Sequence, residues 1–138
     1  MKPEDTLDAY AAAVRAKDVE AFLALYADDV RTFDLWERCS YDDKDALRAM
    51  VTEWFGSPDT APLVAVEFDD VRIEAGDGVA GLSAFLTFRG LSDSGEELRS
   101  MNNRLTWILR KQDDGAWKIV HEHTSAPAGE GGKVRLKR

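Results

Sequence analysis

Four residues in this chain have side chains suited to work on a small molecule: the carboxylates of Asp34 and Glu122, the phenol of Tyr10 and the guanidinium of Arg104. Asp34 lies in the run Val30–Trp36, whose alternation puts Val30, Thr32, Asp34 and Trp36 on one face of a short strand. If that face points inward, its aromatic lining desolvates the carboxylate, raises its pKa and makes it a general base. If it points outward, Asp34 is an ordinary solvated acid. Tyr10 shares a helical stripe with Leu7, Ala11 and Val14. There it is either a hydrogen-bond donor to a substrate oxygen or a core aromatic whose hydroxyl is already satisfied.

The C-terminal part holds the other candidates. A hairpin turning at Asp113-Asp114-Gly115 pairs Ile108 with Val120, Thr106 with Glu122 and Arg104 with Thr124 in its simplest register. Arg104 and Glu122 are then diagonal neighbours, either as an inward pair serving a polar ligand or as a surface ion pair. The odd-numbered face carries Leu105, Trp107, Leu109, Trp117, Ile119, His121 and His123, and its apolar character suggests a subunit interface. His121 and His123 are two apart and would share a strand face. They would either grip a metal with a third ligand from elsewhere or pack beside Trp117 and Ile119.

Other chemistries lack their parts. There is no Gly-rich phosphate loop, cysteine cluster or nucleophile elbow, so no cofactor or resident metal is expected. Cys39 is the sole cysteine, which excludes an intrachain disulfide and suits a reducing cytoplasm. The start, Met1-Lys2-Pro3-Glu4-Asp5, lacks a secretory apolar run, and no stretch approaches a membrane span. With 18 basic and 26 acidic residues the net charge is −8, so nucleic acid and anionic membranes are not expected partners. Four of the cations, Lys133, Arg135, Lys137 and Arg138, lie in the last six residues; without them 14 basic residues face 26 acidic ones, a balance of −12. That end follows Gly129-Glu130-Gly131-Gly132, so residues 129–138 are expected as a flexible basic tail beyond a domain of residues 1–128, either solvated or folded back on the acidic body, with an anionic partner as the alternative.

The elements that must position these groups follow from periodicity. A first helix carries Tyr10, and Asp18 caps a short second one with Phe22, Leu25 and Tyr26 inward. A third begins near Asp42 or Asp43, has the stripe Ala46, Leu47, Met50, Val51, Trp54 and Phe55, and stops at Gly56 and Pro58. The period then changes to 2 over Leu63–Ala75, Val79–Arg89, Glu97–Lys111 and Ala116–Ser125, with turn residues between. Helices followed by consecutive antiparallel strands indicate an α+β fold with the helices on one face of a curved sheet.

Tyr10, Asp18, the run Leu25-Tyr26-Ala27-Asp28-Asp29-Val30 and Asp34 together resemble the N-terminal half of the ketosteroid isomerase-like superfamily. The ending Trp117-Lys118-Ile119-Val120-His121-Glu122-His123-Thr124-Ser125-Ala126-Pro127 resembles SnoaL-like members and is similar to the association domain of calcium/calmodulin-dependent protein kinases. The resemblance covers residues 4–127. It implies a nuclear-transport-factor-two-like fold: a cone-shaped α+β barrel of strongly curved, mostly antiparallel sheet with three N-terminal helices, commonly a homodimer through the outer sheet face. It also implies Asp34 as the proton-shuttling acid and Tyr10 as the oxyanion donor. The isomerase's further protonated acid has no counterpart, because residues 101–112 contain no Asp or Glu.

The expectation is a pocket lined by Asp34, Tyr10, Trp36, Trp54, Arg104 and Glu122 that takes an apolar or carbonyl-containing small molecule. Its chemistry would be cofactor-free proton transfer, as in an isomerase, dehydratase or cyclase. The alternative is a non-catalytic ligand-binding or oligomerisation module.

Overall fold

Stretches of period 3.6 and stretches of period 2 separate in space as they do along the chain. The computed structural model describes residues 1–138. Three helices, α1 (Asp5–Ala16), α2 (Val19–Leu23) and α3 (Lys44–Gly56), cover one face of a sheet made by β1 (Tyr26–Phe33), β2 (Leu63–Ala75), β3 (Val79–Leu91), β4 (Glu97–Lys111) and β5 (Trp117–Ser125). The helix starts have the expected chemistry. Asp18 accepts from the Ala21 N–H at 3.0 Å and Asp43 from the Ala46 N–H at 2.8 Å, each satisfying an amide that the helix leaves unpaired. Lys17 ends α1 with φ 51°, and its ammonium reaches the Ala61 carbonyl at 2.8 Å, tying α1 to the approach of β2.

The sheet order is β1-β5-β4-β3-β2. All neighbours are antiparallel except β1 and β5, which run parallel, so the sheet is mixed and mostly antiparallel. The core lies between its concave face and the helices. Trp107, Tyr26, Phe22, Leu47, Val51, Leu82, Leu86, Leu105 and Ile119 are buried there. Tyr10 joins the layers, its ring 5.1 Å from Phe22, 5.6 Å from Trp107 and 5.8 Å from Phe68. No helix is long and apolar enough to cross a membrane.

Both ends of β1 differ from the sequence expectation in ways that bear on the cavity. Tyr26 leaves the second helix and opens β1, because the Ile119 N–H of β5 donates to the Leu25 carbonyl at 2.8 Å and draws this stretch into the sheet. The strand also ends at Phe33, so Asp34 lies one residue beyond β1 rather than in mid-strand. Its neighbour Thr32 pairs with Tyr41, which brings the connecting segment 34–40 back against the sheet.

Residues 129–138, expected as a flexible tail, lie against the sheet. The chain reverses over Pro127–Arg135, whose amide and carbonyl meet at 2.8 Å, and the Leu136 carbonyl accepts from the Asn102 N–H at 2.7 Å. β5 stops pairing at Ser125, opposite Arg104, so this segment takes the edge of β4 that β5 has left open. The Arg138 guanidinium lies 3.6 Å above the Phe85 ring.

Candidate functional site

Between the concave sheet face, α1, α3 and the segment following β1 lies a cavity of about 720 Å³. Tyr10, Asp34, Trp36, Trp54 and Glu122 all line it, together with Asn103, Tyr41 and Phe88. Its apolar side is aromatic: Trp54 of α3 meets Phe88 of β3 edge-on at 5.6 Å. Trp36 stands at the rim, 49% exposed.

Glu122 sits at the centre of the polar side. It is 6% exposed, and its Oε1 accepts from the Tyr26 hydroxyl at 3.0 Å and from the Trp107 indole N–H at 2.9 Å. Burial pushes its carboxyl up to about 7. The two hydrogen bonds oppose that rise and the negative charge of Asp34 adds to it. Glu122 is thus poised between acid and base near neutral pH. No lysine or arginine neutralises it in this structure.

Tyr10 feels both carboxylates. Its phenol is held well above its ordinary value by burial first, then by the charges of Glu122 and Asp34, so it remains a donor. It makes no hydrogen bond within the protein, which leaves the O–H for a bound molecule. Asp34 is partly buried, and its Oδ1 accepts from the Thr124 hydroxyl at 3.0 Å. This bond fixes the carboxylate and leaves its other oxygen free.

Arg104 is elsewhere. The expected register placed it beside Glu122, but it pairs with Ser125, points to the outer face and donates from Nε to the Ser125 hydroxyl at 3.0 Å. The reason is a β-bulge. Leu109 pairs with Ile119 while Ile108 pairs with His121, so Val120 is an extra residue in β5. Before the bulge Trp117 and Ile119 face the core; after it Glu122 and Thr124 do. On β4 the inward residues are Asn103, Leu105, Trp107 and Leu109, so the even-numbered face that carries Arg104 is outside.

The same bulge divides the face read from sequence as an apolar interface. Trp107 and Trp117 are core residues under the helices, whereas His121 and His123 lie outside. His121 Nδ1 lies 2.8 Å from the Arg31 carbonyl, and both imidazoles stand edge-on to Phe33, at 4.9 and 5.5 Å. No third metal-ligating side chain joins them.

Sequence reasoning missed Asn103 as well as the roles of Tyr26, Trp107 and Thr124 in holding the two carboxylates. Asn103 had a visible signal, since it is in phase with Leu105, Trp107 and Leu109 and interrupts an otherwise apolar stripe.

A curved, mostly antiparallel sheet closing on an acid-bearing cavity beneath three helices is the NTF2-like cone, an α+β fold. Within it the chain belongs to the SnoaL-like domain family, whose model matches residues 4–129. Among solved structures, an NTF2-like protein of unknown function from Pseudomonas putida KT2440 is 26% identical, with 98% of this chain and 92% of that one covered and a TM-score of 0.84. A Xanthomonas campestris protein provisionally named as a calcium/calmodulin dependent protein kinase II association domain has a TM-score of 0.74 at 18% identity, covering 90% and 84%. An NTF2-like superfamily protein from Salmonella enterica serovar Typhimurium has a TM-score of 0.70 at 16% identity, covering 92% and 89%. No curated protein matches the sequence.

Proposed function

We propose that this SnoaL-like protein binds an apolar, carbonyl-containing small molecule in its cavity and moves a proton next to the carbonyl without a cofactor. The observation that carries this reading is the grouping of one held carboxylate, Asp34, with a buried acid near neutrality, Glu122, and an unpartnered phenol, Tyr10. Asp34 removes the proton from the carbon beside the carbonyl, and the bonding pair moves into the carbonyl to give an enolate. Tyr10 and the protonated form of Glu122 donate to the enolate oxygen, where the new charge collects. The proton then returns from Asp34 to the same or a conjugated carbon. Glu122, on β5, thus supplies the acid that residues 101–112 lack.

The test is hydrogen–deuterium exchange in heavy water, followed by NMR over a panel of cyclic and aryl ketones. At least one ketone is expected to exchange its α-protons faster with the protein present, and Asp34→Asn is expected to cut that acceleration about 100-fold or more. Acceleration that survives in Asp34→Asn removes the base role. No acceleration with any ketone removes the reading.

A second reading, an oligomerising module, is favoured by the outer sheet face, where Ile108 is 40% and Val79 55% exposed on adjacent strands. With Phe33 and the two imidazoles nearby, this face suits a second copy of the chain. A homodimer through β3, β4 and β5 is compatible with the cavity reading, since the cavity opens on the opposite side of the sheet.

A further inference from the structure

Asn103 carries a hydrogen-bonding demand that the rest of the protein does not meet. It is 5% exposed, it lines the cavity, and its Oδ1 is sealed from solvent without a partner. Its neighbour Asn102, turned the other way, has a partner at both its oxygen and its nitrogen. The Asn102 amide donates to the Thr87 hydroxyl at 2.8 Å and accepts from the Arg138 N–H at 2.9 Å. A buried amide left open costs stability, and a leucine here would have continued the stripe of Leu105, Trp107 and Leu109. Asn103 lies four residues along β4 from Trp107, whose indole holds Glu122; that is roughly 13 Å of strand. The cavity wall therefore has Asn103 at one end and Glu122 at the other, with Thr124 between them.

We propose that Asn103 anchors the far end of the bound molecule through a neutral hydroxyl group. The ligand class is then an elongated, mainly apolar molecule with a carbonyl at the Glu122 end and a hydroxyl at the Asn103 end. This rests on the carbonyl-binding reading above and narrows its substrate class. A hydroxyl both donates and accepts, so it serves the amide whichever of its two atoms faces the ligand. An ammonium only donates and a carboxylate only accepts, so each can serve only one of the amide's two atoms. A terminal hydrocarbon would leave the amide as it is.

The test uses a matched pair of probes: a biphenyl methyl ketone with a hydroxymethyl group at the far para position, and its ethyl analogue of nearly the same shape. Binding of each to the full chain is measured by calorimetry. The hydroxymethyl probe is expected to bind about tenfold more tightly or better. In Asn103→Leu the preference is expected to vanish, with a melting temperature at or above that of the parent because an unpaired amide has been removed. A purely structural asparagine would instead lower it. Asn103→Ala, which cannot overpack, is expected to lose the preference too and serves if the leucine variant does not fold. Equal binding of both probes to the parent protein means that the ligand's hydroxyl gains nothing from Asn103; this inference then fails and the cavity reading stands. A preference that persists in Asn103→Leu places the hydroxyl elsewhere and also overturns it. Binding of neither probe takes down the cavity reading and this inference together.

Discussion

Trp107 and Glu122 sit directly opposite each other on β4 and β5, and the indole N–H donates to the buried carboxyl at 2.9 Å. The largest side chain of the core thus faces the one acid enclosed by it. Of the hydrogen bonds that hold Glu122's carboxyl down against burial, that from Trp107 is the stronger influence and that from Tyr26 the second. Four measurable consequences follow from this pair and from the faces on either side of it.

Glu122 should make the protein less stable as pH rises toward neutrality. Its carboxyl titrates near 4.5 when unfolded and at about 7 when folded, so between these values the folded state holds more protons. Stability is therefore highest below the lower value, falls as pH rises through the folded one, and changes no further above it. The full effect is on the order of 3 kcal/mol. In Glu122→Gln this slope is expected to disappear, so that the variant is the more stable protein at pH 8. Urea denaturation across pH 5 to 8 reads the difference between the two proteins.

Removing the indole donor should move the same titration upward. Trp107→Phe keeps an aromatic ring but takes away one of the two bonds to Oε1, so the pH at which the stability slope levels off is expected to rise. The variant should also lose roughly 2 kcal/mol from the smaller ring and the lost bond. A levelling point unchanged from the parent would show that the indole does not set the acidity of Glu122.

A charge on the outer sheet face should separate the proposed dimer. Ile108→Asp is expected to convert a species of roughly twice 15.4 kDa into one of 15.4 kDa in sedimentation velocity, with the far-ultraviolet circular dichroism unchanged. A parent protein that already sediments as a single chain would dispose of this interface.

The C-terminal segment should govern how readily the cavity exchanges its contents. Leu136 lines the cavity while its carbonyl takes up the Asn102 N–H. A chain ending at Ala128 is expected to release the bound biphenyl ketone about tenfold faster than the full chain. It should lose only about 1 to 2 kcal/mol of stability, because few of its contacts are buried. Stopped-flow fluorescence of the cavity tryptophans compares the two release rates.

The fold was legible because each local signal agreed with its neighbours. Asp18 and Asp43 mark helix starts, the period falls from 3.6 to 2 after Pro58, and turn residues separate the strands. The placement of Tyr10 was legible too, because a helical stripe fixes which side faces the core. The wall formed by β4 and β5 was not. Strand faces alternate with period 2, so one extra residue inverts every assignment beyond it, and no residue type announces the bulge at Val120. A hairpin counted from its turn without that residue puts Arg104 and Glu122 on one face and Trp107 on the other, whereas in the fold Glu122 shares the inner face with Trp107 and Arg104 is outside.

By itself, then, the sequence determined the α+β order of elements and the inward position of Tyr10. Only the tertiary structure decided that Glu122 is the buried acid, that no arginine balances it and that Asn103 lines the cavity. The physical reason is that helix faces and turns are set by neighbours along the chain. The environment of a carboxyl is set by the strand across from it, and that register depends on a single inserted residue.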